Sequence, residues 1–199
     1  MLGSISRIII LIPFFSYSLI QNDTISSVDL DEVIVKSAKI VSSKKKTPLS
    51  ISSKNLYYDQ QFSQQLSLQE YLKNIPGVFS TSANNFSQDL RLSIRGFGAR
   101  SSFGIRGIKI IVDGIPQTSP DGQTQLDNLP IGIMETIEVI RGPSSNLYGN
   151  SSGGVITINT ISGDTDNVTN YKGIVGSYDY KSVVRLKTFN WENTDLVLY

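Results

Sequence analysis

The chain of 199 residues contains no cysteine and no histidine. It therefore has no disulfide, no thiolate nucleophile, no Cys/His zinc site and no imidazole that could act as a general base. An enzyme built from this sequence would have to rely on carboxylates, lysine, tyrosine or serine alone. These absences favour a binding or transport protein over an enzyme.

Charged residues are also scarce. They make up 18% of the chain, and the net charge is +1, whereas about 25% charged residues is usual for a soluble domain. The basic cluster Lys44-Lys45-Lys46 is short, and a solvated linker explains it better than contact with phosphates. We expect no nucleic-acid partner. The 39% of hydrophobic residues is enough for a folded core.

The N-terminus has the pattern of a secretory signal peptide. Arg7 precedes an apolar run at residues 8–15 that only Pro13 interrupts, and small residues follow at Ser16 and Ser18. The run is too short for a spanning helix, which needs about 20 residues. The alternative, a buried core helix, is disfavoured by the proline and by the polar stretch that follows. We expect residues 1–20 to be a signal peptide.

One β-branched run stands alone in the polar segment at residues 21–48. Val33, Ile34 and Val35 follow the acids Asp31 and Glu32. Within a linker this run has no core to join, so it should stay flexible. It is well suited to adding a strand to the sheet of another protein.

Strand and helix patterns intermix from about residue 49 to residue 160. Ser67 and Glu70 have the spacing of a capping box, and the apolar residues after Ser67 recur at helical spacing up to Ile75, before Pro76-Gly77. Gly142-Pro143 predicts a further short helix with proline at its first position. Alternating or β-branched runs predict strands at residues 49–52, 90–95, 108–112, 135–141 and 155–160. The fold class is therefore α/β (α+β), a small mixed sheet with short helices.

The pattern changes after residue 163. Residues 171–178, 180–189 and 194–199 read as strands with no helix between them, and aromatic residues lie near the strand ends. Such girdles are typical of transmembrane antiparallel β-barrels. A soluble antiparallel hairpin is the alternative. Because the last residues form an apolar run, we expect further strands to follow in the complete protein.

Four segments and their continuation carry a family resemblance, namely LKNIPGV (72–78), IRGFG (94–98), VDGIP (112–116) and IEVIRGP (137–143), the last running on into SSNLYG (144–149) and GGVI (153–156). Each segment alone would be weak evidence. In this order and spacing, over residues 46–163, they closely resemble the plug domain of TonB-dependent outer-membrane receptors. A dinucleotide-binding reading fails, because the stretch from Gly96 reads G-x-G-x-x-S and lacks the third glycine.

The resemblance implies a domain plan: signal peptide at 1–20, TonB box and flexible linker at 21–45, plug at 46–163, and the beginning of the β-barrel at 164–199. It implies a receptor in the Gram-negative outer membrane, with its box in the periplasm and its plug inside its own barrel. The expected function is energy-coupled uptake of a ligand, an iron chelate of the siderophore or ferric citrate type, without catalysis or a cofactor. TonB would pair with the box and pull on the plug. The alternative is a truncated plug that binds without transporting.

The resemblance also assigns roles to residues. Asp31, Glu32, Val33, Ile34 and Val35 look like the TonB box, although Lys36-Ser37-Ala38 follows where a Thr-Ala pair is frequent in the family.

Arg95 and Arg141 each follow an apolar strand and precede a glycine, and a buried arginine needs a carboxylate partner. In the family, matching arginines face glutamates of the barrel wall. Internal pairing with Glu135, Glu138 or Asp113 is the alternative.

In similar plugs, loops at the extracellular apex contact the substrate, and the stretches 97–106 and 116–125 correspond to them. Their side chains would suit an anionic or hydroxyl-rich ligand, although ordinary polar loops are the alternative. No cluster has metal-ligand spacing, so iron would arrive already chelated. The expected ligand-contacting residues are Arg100, Phe103, Arg106, Gln117, Asp121 and Gln123.

The signal-peptide assignment predicts that a Gram-negative host removes the N-terminus during export. Intact-mass measurement of the exported protein should give a first residue between Tyr17 and Asn22, because the small-residue site follows the apolar run there. Exported protein that retains Met1 would contradict the assignment.

Overall fold

The computed structural model describes residues 34–35, 42–43, 48–81, 90–102, 104–126, 128–143, 145–162, 169–191 and 194–199. The expected signal peptide lies outside these ranges, as do Asp31, Glu32, Val33 and Phe103. None of the helices within the described ranges is long and apolar enough to cross a membrane.

The described residues form short strands and helices. In chain order they are β1 (Ile34–Val35), β2 (Ser42–Ser43), β3 (Ser50–Asn55), α1 (Tyr57–Phe62), α2 (Gln69–Leu72), β4 (Val78–Thr81), β5 (Arg91–Ile94), β6 (Ile105–Arg106), β7 (Ile108–Val112), β8 (Ile115–Pro116), β9 (Gln123–Thr124), a 3₁₀ turn (Ile131–Ile133), β10 (Met134–Arg141), α3 (Ser145–Tyr148), β11 (Gly154–Thr160), β12 (Thr169–Val175), β13 (Lys181–Trp191) and β14 (Thr194–Leu198).

A five-stranded mixed sheet organises the first part of the fold. Its strand order is β3-β10-β11-β7-β8. Only β11 and β7 run parallel, and the other neighbours are antiparallel. Strand β10 pairs with β3 on one side and β11 on the other, so that Arg141 lies opposite both Ser50 and Gly154. The small mixed sheet expected from the sequence is confirmed.

The central strand β10 is buried on both faces of the sheet. Ile137 and Val139 of β10 face the larger apolar cluster, while Ile140 belongs to a second, smaller cluster on the other face. Glu138 alternates with Ile137 and Val139 as the sequence predicts, yet only 3% of its surface is exposed. A sheet covered on both faces requires strands that read as nearly continuous apolar runs, which explains why β10 does not show clean polar alternation.

Helix α2 is capped as the sequence predicts but is shorter than expected. The Glu70 carboxylate accepts hydrogen bonds from the backbone N–H groups of Leu66 and Ser67 at 3.0 and 3.3 Å, and Ser67 Oγ accepts one from Gln69 N at 3.2 Å. The helix ends at Leu72. Burial raises the pKa of the Tyr71 phenol, although its 2.6 Å hydrogen bond with Ser63 opposes the shift.

Helix α3 also differs in position from the sequence expectation. It begins at Ser145, so proline does not occupy its first position.

Strands β12, β13 and β14 form a separate antiparallel sheet. This confirms the consecutive antiparallel strands expected after residue 163. Lys172 Nζ of β12 donates hydrogen bonds to the carbonyls of Gln60 and Ser63 at the end of α1, the latter at 2.7 Å. Cations favour the carbonyl end of a helix, because the last carbonyl groups there have no partner within the helix.

Gly154 allows the close approach of β11 to β10. Its φ is +146°, and a Cβ atom placed there would lie 2.3 Å from the Ile140 carbonyl oxygen. This oxygen is backbone and cannot move aside as a flexible side chain would. Gly154, the first residue of β11, is therefore a packing requirement of the sheet.

We predict that Gly154→Ala lowers the free energy of unfolding of the full chain by about 2 kcal/mol or more, through backbone strain and the clash with Ile140. Gly173→Ala in β12 is the matched control, because nothing lies within 4 Å of its added Cβ. Urea denaturation followed by circular dichroism measures both. Equal loss in the two variants would contradict the packing role of Gly154.

Candidate coupling and ligand-binding sites

Arginine side chains link three of the resemblance segments with Ser50, the first residue of β3. Arg141 ends β10, and its Nε donates a hydrogen bond to Ser50 Oγ at 3.1 Å, while its Nη1 donates to the Pro76 carbonyl oxygen at 2.6 Å. Arg95 follows β5, and its Nη2 donates a longer bond of 3.5 Å to the same Ser50 Oγ. We call this group of Ser50, Pro76, Arg95 and Arg141 the arginine cluster.

Backbone geometry brings the two arginines of the cluster together. Arg95 has a φ of +50°, in the left-handed region that a side chain rarely adopts. Its N–H donates to the Gly77 carbonyl oxygen at 3.1 Å. A Cβ atom at Gly77 would lie 3.3 Å from Arg141 Cδ and 4.0 Å from Arg95 Cγ, so this glycine leaves room for both side chains.

The described hydrogen bonds of the Arg95 and Arg141 side chains go to neutral acceptors, the Ser50 hydroxyl and the Pro76 carbonyl. The Asp113 carboxylate instead accepts two 2.8 Å hydrogen bonds from Thr160, one from its backbone N–H and one from its hydroxyl. A guanidinium carries five N–H donors, so the arginines keep donors free for further acceptors.

The expected ligand loops are partly brought together by strands β6 and β9. These strands pair Arg106 with Gln123, and Arg106 Nη2 donates a long hydrogen bond of 3.5 Å to Gln123 Oε1. The Asp121 carboxylate accepts a 3.2 Å bond from the backbone N–H of Gln123. Gln117 is exposed, and its N–H donates to the Ile110 carbonyl at 2.9 Å. Arg100 is exposed on its own turn before β6.

Two threonines that the sequence did not single out fix this loop pair. Thr118 Oγ1 accepts hydrogen bonds from Ile110 N at 3.0 Å and from Thr124 Oγ1 at 2.7 Å. Thr124 is 1% exposed. In the sequence both are ordinary loop residues, and only the pairing of β6 with β9 reveals their role.

Of the expected TonB box, the structure describes the last two residues, Ile34 and Val35. Ile34 pairs with Ser43 and Val35 with Ser42, as a short antiparallel ladder. Within the described residues, no three Asp, Glu, Cys or His side chains are grouped in a way that could hold a metal ion.

Comparison with known families gives one match over more than half of the chain. A family model described as the TonB-dependent receptor plug domain matches residues 43–155. These residues contain all of the resemblance segments up to Val155, together with the whole arginine cluster and the loops around β6 and β9.

Individual relatives are similar over the same region. The vitamin B12 transporter of Vibrio vulnificus is 32% identical over 100 residues, which cover 50% of this chain and 16% of that protein. The hemin receptor of Yersinia enterocolitica is 35% identical over 94 residues, 46% of this chain and 12% of that protein. The chain therefore spans a small part of the length of the curated relatives it matches.

A solved structure shows the same fold. The crystal structure of the ferric yersiniabactin uptake receptor from Yersinia pestis superposes with a TM-score of 0.57 at 22% identity, covering 73% of this chain and 22% of that chain. The order of the sequence motifs, the mixed sheet and the family model all indicate the same family. The chain belongs to the TonB-dependent receptor plug-domain family, whose members are receptors of the Gram-negative outer membrane and not enzymes.

Proposed function

We propose that this chain is the signal, coupling and plug part of a receptor that takes up an iron chelate by energy coupled through TonB. Residues 46–163 are the plug, and residues 164–199 begin the wall of its barrel. The observation that carries the ligand proposal is the pairing of β6 with β9, which gathers Arg106, Asp121 and Gln123 at one loop pair.

The charges and donors of these loops suit an anionic chelate rich in hydroxyl or carboxylate oxygens. Arg100 and Arg106 are exposed and supply guanidinium forks, which bind carboxylates through paired hydrogen bonds. Gln117 and Gln123 supply neutral donors and acceptors, and Phe103 an apolar contact. Since no metal-ligand group exists among the described residues, the chelator would hold the iron and the protein would hold the chelator.

The barrel wall is the proposed second partner of the arginine cluster. Arg95 is exposed and Arg141 half-buried, and their described side-chain hydrogen bonds go to neutral acceptors. Each guanidinium has N–H groups that do not bond to Ser50 or Pro76. Acidic side chains of the wall would accept charge-assisted hydrogen bonds from these N–H groups.

Asp31 to Val35 would be the segment that TonB recognises. Added-strand recognition depends on main-chain hydrogen bonds for affinity and on alternate side chains for specificity. The linker at residues 36–48 has 13 residues, which at about 3.3 Å each reach roughly 40 Å when extended. That span would allow the box to be engaged at a distance from the plug.

A peptide of residues 27–40 should bind the periplasmic domain of TonB, and Ile34→Pro should weaken this binding far more than Ile34→Ala. Proline removes one backbone donor and restricts the residue before it. The peptide also omits Ser42 and Ser43, with which the box pairs in the chain. Isothermal titration calorimetry gives the affinities.

Glu32→Gln is the side-chain control for this experiment and should change the affinity little, because an exposed charge contributes little. Equal affinity for the Ile34→Pro and unmodified peptides, or no binding by either, would remove the coupling role of this segment.

Substituting an exposed loop arginine should weaken chelate binding. With ferric citrate as the probe, we expect Arg106→Gln to raise the Kd of the full chain by about tenfold, as loss of a charge-assisted hydrogen bond implies. Arg91→Gln is the matched control, since Arg91 is exposed on β5 outside the loops. Equal weakening by both substitutions would indicate general attraction between charges and contradict a site at Arg106.

A further inference from the structure

The sheet topology determines how a pull on the coupling segment would load the plug. The segment leads into β3 at Ser50, and β3 is an edge strand whose neighbour is β10. The chain leaves β11 at Thr160. Along the strand direction, Thr160 lies at the end of the sheet opposite to Ser50. Since β3 and β11 are both antiparallel to β10, they run parallel to each other.

A force applied at Ser50 and resisted at Thr160 therefore acts along the strands, in opposite directions on β3 and β11. Hydrogen bonds of an antiparallel ladder lie perpendicular to the strands. Under such shear, the bonds between β3 and β10 share the load and do not open one at a time. The contacts of Ser50 are among those that bear this load, because the force enters the sheet there.

The arginine cluster is located at this point. Ser50 Oγ accepts hydrogen bonds from Arg141 Nε and Arg95 Nη2, at 3.1 and 3.5 Å. The same Arg141 guanidinium donates to the Pro76 carbonyl oxygen at 2.6 Å, in the turn between α2 and β4. The start of β3 is thus joined through one side chain to a second, sequence-distant part of the plug.

Arg95 reaches Ser50 from a third direction. It leaves β5 in a left-handed conformation, with its Nη1 lying 4.0 Å from the Cβ position of Gly142. Such a conformation costs free energy for a non-glycine residue and persists only where the surroundings hold it. The side chain is therefore held over the start of β3 by the backbone.

We propose that Ser50, Arg95 and Arg141 form a latch that resists extraction of β3 when the coupling segment is pulled. The role is distinct from contact with the barrel wall, because it uses acceptors within the plug. It rests on the proposed function, since a pull through the coupling segment gives the latch its purpose. The latch sets how much force the first sheet strand withstands before it leaves β10.

Single-molecule pulling on the full chain tests the latch directly. The chain has no cysteine, so Ser37→Cys and Ser162→Cys supply the only two thiols for handles, and the force then passes through β3. Ser50→Ala should raise the rupture rate of the first unfolding step about threefold to tenfold at a given force, as expected from loss of exposed hydrogen bonds to charged groups.

Ser52→Ala is the matched control within the same strand. Ser52 is half-buried on β3 opposite Val139, and the substitution makes the same change in strand propensity without touching the cluster. It should leave the rupture rate near that of the unmodified chain. Arg141→Lys keeps the charge but loses the fork that reaches two acceptors, so it should resemble Ser50→Ala.

A second pulling direction distinguishes a latch on β3 from a general effect of the substitution on the stability of the plug. With handles at Lys73→Cys and Ser162→Cys, the chain segment that contains β3 carries no force, and Ser50→Ala should leave the rupture rate unchanged. A similar acceleration in both directions would show general destabilisation and overturn the latch. Equal rates for Ser50→Ala, Ser52→Ala and the unmodified chain in the first direction would overturn it too.

The pulling measurement contains no TonB. Failure of the latch therefore leaves peptide binding by residues 27–40 untouched, and failure of peptide binding leaves the rupture rates untouched.

Discussion

Strand β10 is the constraint on which the rest of the plug depends. It is paired on both sides, with β3 and β11, and it is buried on both faces. A central strand of this kind can change neither its register nor its face without exposing apolar side chains on one side or the other. Its register therefore fixes Arg141 beside Ser50, and with it the place where the chain enters the sheet.

Close backbone approach is the second requirement, and it connects the packing to the site. Gly154 lets β11 pass within contact of the Ile140 carbonyl, and Gly77 makes room for the side chains of Arg95 and Arg141. These two glycines thus matter because they lack a side chain and leave room for neighbouring atoms. They keep sequence-distant strands near enough for two arginines to share one serine hydroxyl.

The two candidate sites have different physical characters. The arginine cluster depends on charge-assisted hydrogen bonds between elements that are far apart in sequence, Arg141 and Pro76 being 65 residues apart. The loop pair at β6 and β9 depends on two hydroxyls. The buried Thr124 hydroxyl donates to the half-buried Thr118 hydroxyl, which also accepts from the Ile110 backbone, while Arg106 stays exposed. In the proposed receptor, the arginine cluster would bear force and the loop pair would contact the ligand.

Local patterning by itself determined much of this protein. The β-branched runs of β7 and β10, the capping box before α2 and the change to consecutive strands after residue 163 depend on neighbours in sequence, so they could be read from it. The order of the glycine-containing segments likewise identified the family. Only the tertiary structure decided that Glu138 is buried, that Arg95 and Arg141 bind Ser50 and Pro76, and that Thr118 and Thr124 support the loops. Those contacts join residues from different strands and turns, and their geometry follows from sheet register, which no local sequence pattern contains.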